Sequence, residues 1–319
     1  MTAAQRALIL TPLVLLGCLF ALDLVHRPGV AGEAGPGFWA FVVVLWLASI
    51  AALSGLSHVR PKNLAWRRLA WLAMPVLFGA FLFFLWEVIV VGAGVPWVLM
   101  PPPSAIGSRF ASSLPVLRDD FVQTFVKSVL TGYAMGCLSG LAVAIVADRV
   151  PFLRRGLLPL GNFVSALPVI GIAPIMVMWF GFDWHSKAAV VVVMTFFPML
   201  VNTVAGLASA GRLERDLMRS YAAGYWTTLV KLRLPMALPF IFNALKINST
   251  LALIGAIVAE FFGTPIVGMG FRISIEVARM SLDMVWAEIA LAALAGSTFY
   301  GLIALIERGA TFWHPSYRT

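Results

Sequence analysis

The sequence predicts an all-α protein that crosses a membrane about eight times, and three observations predict it. Of the 319 residues, 61% are hydrophobic and only 12% are charged, about half the charged share of a soluble domain. The mean hydropathy is +0.94, more apolar surface than a soluble core of this length can hide. Uncharged or nearly uncharged runs occur eight times, near residues 7–25, 38–57, 69–91, 128–147, 157–180, 188–208, 238–262 and 287–306. Each approaches the roughly 20 residues a helix needs to cross the ~30 Å hydrocarbon core. The same composition excludes disorder, collagen and a disulfide scaffold. Cys18 and Cys137 both lie in apolar runs, which points to neither a disulfide nor a metal site.

Taken in order, the first run has a single charge ahead of it, Arg6, and reads as a retained span. The competing reading is a cleaved signal sequence, with Ala7–Ala21 as its apolar stretch and Leu15-Leu16-Gly17-Cys18 resembling a lipoprotein cleavage box. No clean A-x-A site follows, which favours retention. Residues 92–127 read as a long outer loop with a proline cluster, Pro101–Pro103. The fifth run is interrupted by Pro159, Pro168 and Pro174, with Gly161 and Gly171 between them, and predicts a broken or kinked helix. Residues 209–237 are polar, charged and roughly helical in pattern. Loops this long in a compact protein usually carry function.

Orientation follows from the basic residues. With both termini cytoplasmic, the inner loops carry 15 Lys and Arg and the outer loops 7, Lys246 lying within a span. Cytoplasmic loops collect Lys and Arg, so this bias favours both termini inside. The net charge of +9 then reflects topology, and nucleic acid is not an expected partner.

Several chemistries are missing from the pattern. Lys62, Lys127, Lys187, Lys231 and Lys246 are the only lysines, and none follows a glycine, so there is no loop of the G-x-x-x-x-G-K-[ST] kind to cradle a nucleotide. His26, His58, His185 and His314 are scattered, with no H-E-x-x-H and no Cys/His cluster. There is no G-x-S-x-G elbow. The chain is therefore expected to be no enzyme and to hold no metal. The intramembrane ionisable set of Asp23, Glu87, Lys246, Glu260 and Glu288 is too sparse for an obvious proton relay. A secondary transporter or channel would instead show midplane charge pairs or an inverted repeat.

Smaller signals each admit two readings. Gly132, Gly136 and Gly140 stack on one helix face, either a homodimer interface or packing within the subunit, the commoner use of such rows. Glu260 either faces a solute path or caps the reentrant outer loop; a pair with Lys246 on the same helix is excluded, since 14 residues span about 21 Å. Asn162, Asn202 and Asn248 either line a solute path or make interhelical hydrogen bonds. Phe180 and Phe197 either gate such a path or belong to the core and the interfacial belt.

The segment Asp216-Leu-Met-Arg-Ser-Tyr-Ala-Ala-Gly-Tyr-Trp-Thr-Thr-Leu-Val-Lys-Leu-Arg-Leu-Pro235 resembles the EAA loop of ABC importer permeases, E-A-A-x3-G-x9-I-x-L-P. Asp216 takes the place of the Glu, Ala222 of the Gly and Leu232 of the Ile, while Leu234 and Pro235 match; Leu217 and Met218 depart from the paired alanines. The stretch Ala166–Gly181, the run Phe196–Thr203, Trp86-Glu87, Pro101–Ser104, Ala259-Glu260 and Gly268–Gly270 are similar to the nitrate/sulfonate/taurine branch of that family.

The resemblance covers roughly residues 75–310. It implies a type I importer fold: a six-helix permease core within 66–310, preceded by two added helices and a linker in 1–65 and followed by a tail at 311–319. It further implies a bacterial inner-membrane homodimer, an ABC ATPase subunit carrying ATP and Mg, and an extracytoplasmic solute-binding protein. This chain itself would bind no cofactor. Residues 209–237 would be the ATPase-coupling loop. There Tyr221 and Trp226 would fill a groove on the partner, small Ala222 and Ala223 would allow close approach, Gly224 would turn the chain and Pro235 would end a helix. The alternative is a helix lying on lipid headgroups.

Overall fold

The computed structural model describes residues 3–58, 64–165, 167–263 and 266–313, with the side chains of all these except 3–8, 64–71, 158, 162 and 165. The described residues form helices and loops, with no strand among them. The helices are α1 (Ala3–Val25), α2 (Pro36–Ser57), α3 (Leu64–Gly92), α4 (Pro103–Ser112), α5 (Leu114–Phe121), α6 (Leu130–Arg149), α7 (Pro151–Ser165), α8 (Val169–Phe180), α9 (Trp184–Ala208), α10 (Arg212–Ser220), α11 (Tyr225–Thr228), α12 (Leu234–Glu260), α13 (Met269–Ala278) and α14 (Leu282–Ala310). Six helical stretches among the described residues are long and apolar enough to cross a membrane: Pro36–Ser57, Leu72–Gly92, Leu114–Arg149, Trp184–Ala208, Tyr225–Glu260 and Leu282–Ala310. Ile9–Val25 and Val169–Phe180 are shorter apolar helices.

Two of the six stretches are 36 residues long. At 1.5 Å per residue each is about 54 Å, well beyond a ~30 Å hydrocarbon core. Each contains one π-helical segment, Val122–Val129 in the first and Leu229–Arg233 in the second.

This corrects the reading of 92–127 as a loop. Pro103 opens α4, and Pro115 lies in the first turn of α5, where a missing N–H costs nothing. Asp120, Gln123 and Thr124 of that stretch are buried in helix. The fifth run is broken between Ser165 and Val169, with Pro168 as the extended N-cap of α8. Gly181, at φ +82°, closes α8 in a conformation natural to glycine.

The chain forms two compact units, Met1–Ser112 with Met280–Met284, and Ser113–Arg279 with Val285–Thr319. In the first, Val14, Cys18, Ala21 and Val25 of α1 pack with Val42 and Leu45 of α2 and Phe81, Phe84 and Val88 of α3. Glu87 caps α4, accepting the Ser104 N–H at 2.9 Å and its Oγ–H at 2.6 Å, and His26 Nε2 lies 3.0 Å from the same carboxylate.

In the second unit α9 is central. The glycine row of α6 lies on it: a Cβ at Gly132 would meet the Ala188 carbonyl oxygen at 2.6 Å, one at Gly136 the Thr195 hydroxyl at 2.0 Å, and one at Gly140 the Phe196 carbonyl oxygen at 2.5 Å. The face offered by these glycines is thus filled by α9 of the same chain. Phe125, Val129, Val191, Ala252, Leu253, Ala256 and Ala295 form one cluster, and Cys137, Met199, Leu207, Leu229, Ala237, Ile241 and Ala244 another.

Candidate functional site

The polar segment between α9 and α12 folds as a helical hairpin that shows most of its surface. No residue of α10 is buried. Asp216 is exposed and pairs loosely with Arg219 at 3.5 Å. Leu213 and Tyr221 are 82% and 77% exposed, and Leu217 and Trp226 are exposed as well. Large apolar side chains exposed on an otherwise charged segment are the kind of surface by which proteins meet partners or membranes.

The turn after α10 has a defined chemistry. Ala222 N–H donates to the Arg219 carbonyl at 2.9 Å, and Ala223 N–H donates to the Met218 carbonyl at 3.0 Å. These are the two bonds of a Schellman C-cap, whose C′ residue adopts the left-handed conformation. That residue is Ala222, at φ +52°, the position where the EAA pattern has glycine.

Gly224 corrects the expectation that it makes the turn: at φ −70° and ψ 173° it is the extended N-cap of α11. Pro235 does not end a helix. The helical stretch runs unbroken from Tyr225 to Glu260. The π segment closes on the Leu234 N–H, which bonds the Leu229 carbonyl, and Pro235, with no N–H, follows at the start of regular α-helix. Leu232, Leu234 and Pro235 are half-buried.

Four residues to which sequence reasoning assigned no coupling role, Asp148, Arg149, Tyr225 and Arg233, meet at the roots of this hairpin. Arg233 pairs with Asp148 through two bonds, Nη2 to Oδ1 at 2.6 Å and Nη1 to Oδ2 at 2.7 Å. It also donates to the Leu207 carbonyl from Nε at 3.0 Å and from Nη2 at 2.9 Å. The Tyr225 hydroxyl donates to Asp148 Oδ2 at 3.0 Å. Arg149 lies over the Tyr225 and Trp226 rings, 5.5 and 5.8 Å from their centroids. No local signal announces Asp148, which lies 85 residues from Arg233.

The opposite end of α12 carries a second polar knot. Glu260, 2% exposed, accepts from Thr124 Oγ1 at 2.7 Å and from the Gly270 N–H at 2.7 Å. Thr124 accepts the Met269 N–H at 2.8 Å, and Asp120 accepts the Gly268 N–H at 2.6 Å and Arg272 Nε at 2.9 Å. The buried Lys187 ammonium donates to the Phe182 carbonyl at 2.6 Å. Beside it, the Trp184 N–H bonds the Asp183 carboxylate at 2.7 Å and holds that carboxyl below its ordinary range.

The remaining residues singled out from sequence are dispersed. Phe180 lines an apolar groove of about 520 Å³ with Trp179, Met176, Met135 and Trp184. Phe197 packs with Ala144, Leu200 and Val204. Asn202 donates to the Pro198 carbonyl at 2.8 Å and accepts from Asn243 at 3.5 Å. Asn248 is fully buried and donates to the Thr195 carbonyl at 2.8 Å. The side chain of Asn162 lies outside the described residues. Lys246 pairs with Glu307 at 2.7 Å.

Comparison with known proteins bears on residues 132–312, which match the family described as binding-protein-dependent transport system inner membrane component. The chain is 29% identical over 265 residues to the riboflavin transport system permease protein RibX of Chloroflexus aurantiacus, covering 82% of this chain and 98% of that one. It is 30% identical over 239 residues to the formylaminopyrimidine transport permease protein ThiX of Halalkalibacterium halodurans, covering 75% and 95%. It is 25% identical over 235 residues to the taurine transport system permease protein TauC of Escherichia coli, covering 72% and 85%.

Proposed function

The chain belongs to the family of binding-protein-dependent transport system inner membrane components, in the nitrate/sulfonate/taurine-type branch of ABC importer permeases, and we propose that it is the membrane-spanning subunit of an ATP-driven importer. It is a multi-pass inner-membrane transport permease. In this reading two copies form the pore, two ATPase subunits that bind ATP and Mg dock on the hairpin at 209–237, and a solute-binding protein delivers cargo to the other face. Closure of the ATPases on ATP favours one of two pore states and hydrolysis restores the other, which is alternating access by differential binding. The cargo is a small solute: an anion of the nitrate, sulfonate or taurine kind, or a vitamin or pyrimidine precursor of the kind named for RibX and ThiX.

One observation carries the docking assignment. The hairpin leaves Tyr221 and Trp226 exposed on either side of a run of small residues, Ala222, Ala223 and Gly224. The protruding rings supply apolar anchors, and the small residues let a partner's backbone come close.

Replacing Ala223 with Glu places a charge at that closest approach. Burying a charge without a counterion costs several kcal/mol, enough to break a transient interface. The variant should insert normally and lose both co-purifying ATPase and solute-stimulated ATP hydrolysis. Undiminished ATPase binding and stimulation in the variant would remove the hairpin as the docking site.

A further inference from the structure

We infer that Asp148 and Arg233 are positioning residues that transmit movement of the hairpin into α6 and α9. The inference rests on the reading of the hairpin as the ATPase dock. Leu207 lies one residue before the end of α9, and Arg233 directly precedes α12. The two residues therefore mark the two roots of the segment that projects from the helices. Arg233 bonds the Leu207 carbonyl twice, and its other two contacts grip Asp148, in the last turn of α6. One guanidinium thus ties the ends of α6 and α9 to the continuous helix that runs from Tyr225 into α12.

The chemistry suits a rigid joint. The Leu207 carbonyl is among the last four of α9, which have no partner in their own helix and attract a cation. The Asp148 side chain is 4% exposed and that of Arg233 is 14% exposed, so water does little to screen the pair. A two-point guanidinium–carboxylate contact fixes angle as well as distance. Lysine at 233 would keep the charge and lose the planar fork.

Stability alone does not require such a pair, because buried ion pairs replaced by well-packed apolar groups are often neutral or stabilising. What the pair adds is orientation. The Tyr225 hydroxyl on Asp148 and the Arg149 guanidinium over Tyr225 and Trp226 extend the same joint onto the first turn of the helix that carries the hairpin's exposed Trp226. A displacement of α11 therefore moves the end of α6 with it.

The experiment uses the whole transporter purified from its host through a tag on this chain. A single reporter thiol is introduced by Met178→Cys, a position 82% exposed on α8, while the native Cys18 and Cys137 are buried. Maleimide labelling at 178 is compared with and without MgATP and vanadate in Asp148→Asn, Arg233→Lys, the double variant and Tyr225→Phe. Asp148→Asn should keep bound ATPase subunits and ATP hydrolysis, and both single substitutions should reduce the nucleotide-dependent change in labelling about tenfold, within the usual range of coupling between sites.

The double variant should be no worse than the worse single one, because the two residues act as one contact. Tyr225→Phe leaves the ion pair intact and should give a smaller loss; it keeps the test readable if Asp148→Asn fails to assemble. An unchanged labelling response in all the variants overturns the transmission role while leaving the dock untouched. ATPase subunits lost from Asp148→Asn and Arg233→Lys alone overturn it too, since the contact then builds the dock. ATPase subunits absent from the parent transporter overturn the docking reading and the transmission role together.

Discussion

Ala222 holds a left-handed backbone, φ +52°, at the C′ position of a Schellman cap. For an L-residue that conformation costs roughly 1–2 kcal/mol, whereas glycine there would cost about 0.4–1 kcal/mol through the freer unfolded chain. The first effect is larger, so Ala222→Gly should tighten the hairpin and Ala222→Val should loosen it. Limited proteolysis of the hairpin and thermal unfolding in detergent check this. Equal behaviour of Ala222→Gly and Ala222→Val would contradict the strained turn. The spacing of the EAA pattern already aligned Ala222 with a glycine. The positive φ was not legible, because alanine rarely signals one, and the neighbouring Gly224 drew the assignment of the turn to itself.

At the scale of elements, the cradle between α12 and α13 leaves no room for side chains. A Cβ on Gly270 would stand 2.2 Å from the Ile257 carbonyl oxygen, and one on Gly268, already at φ +140°, would stand 2.7 Å from the Glu260 carboxylate oxygens. The obstacle at 270 is helix backbone and cannot swing away. Gly270→Ala should therefore push α13 off α12, break the Gly270 N–H to Glu260 bond and destabilise the protein by about 1–3 kcal/mol, read as a lower midpoint of thermal unfolding. An unchanged midpoint would mean that the cradle yields freely. The sequence offered Glu260 as a cap for the outer loop, because an intramembrane carboxylate near a span end must find donors. It did not show α5 and the π segment that supply Thr124 and Asp120. Three consecutive prolines and a run of polar side chains imitate a loop, and only the tertiary fold turns that polarity inward.

At the scale of the whole molecule, the helices and the charge distribution make one joint expectation. Reporter fusions after Gly35 and after Lys62 should read outside and inside respectively, as the bias of 15 inner to 7 outer basic residues requires. The opposite readings would invert the topology and place the hairpin of α10 and α11 on the wrong face for an ATPase. A mature chain lacking α1 would shift the count of spans by one and put the new N-terminus outside.

Membrane class, the break in the fifth run and the family motif were all written in the sequence. Each depends on neighbours along the chain: run length against bilayer thickness, prolines that cannot donate, and residue spacing within 20 positions. Which surfaces meet was decided only in three dimensions. The glycine row of α6 specifies a close approach but not by what, and the fold supplies α9. Asp148 is an ordinary acidic residue at a helix end until Arg233 reaches it from 85 residues away. Thr124 and Glu260 are separated by 136 residues, and Asp120 and Gly268 by 148. Helical periodicity says which side of a helix is small or polar. It does not say which distant helix fills that side, because pairing over such separations follows from packing the entire set of helices at once.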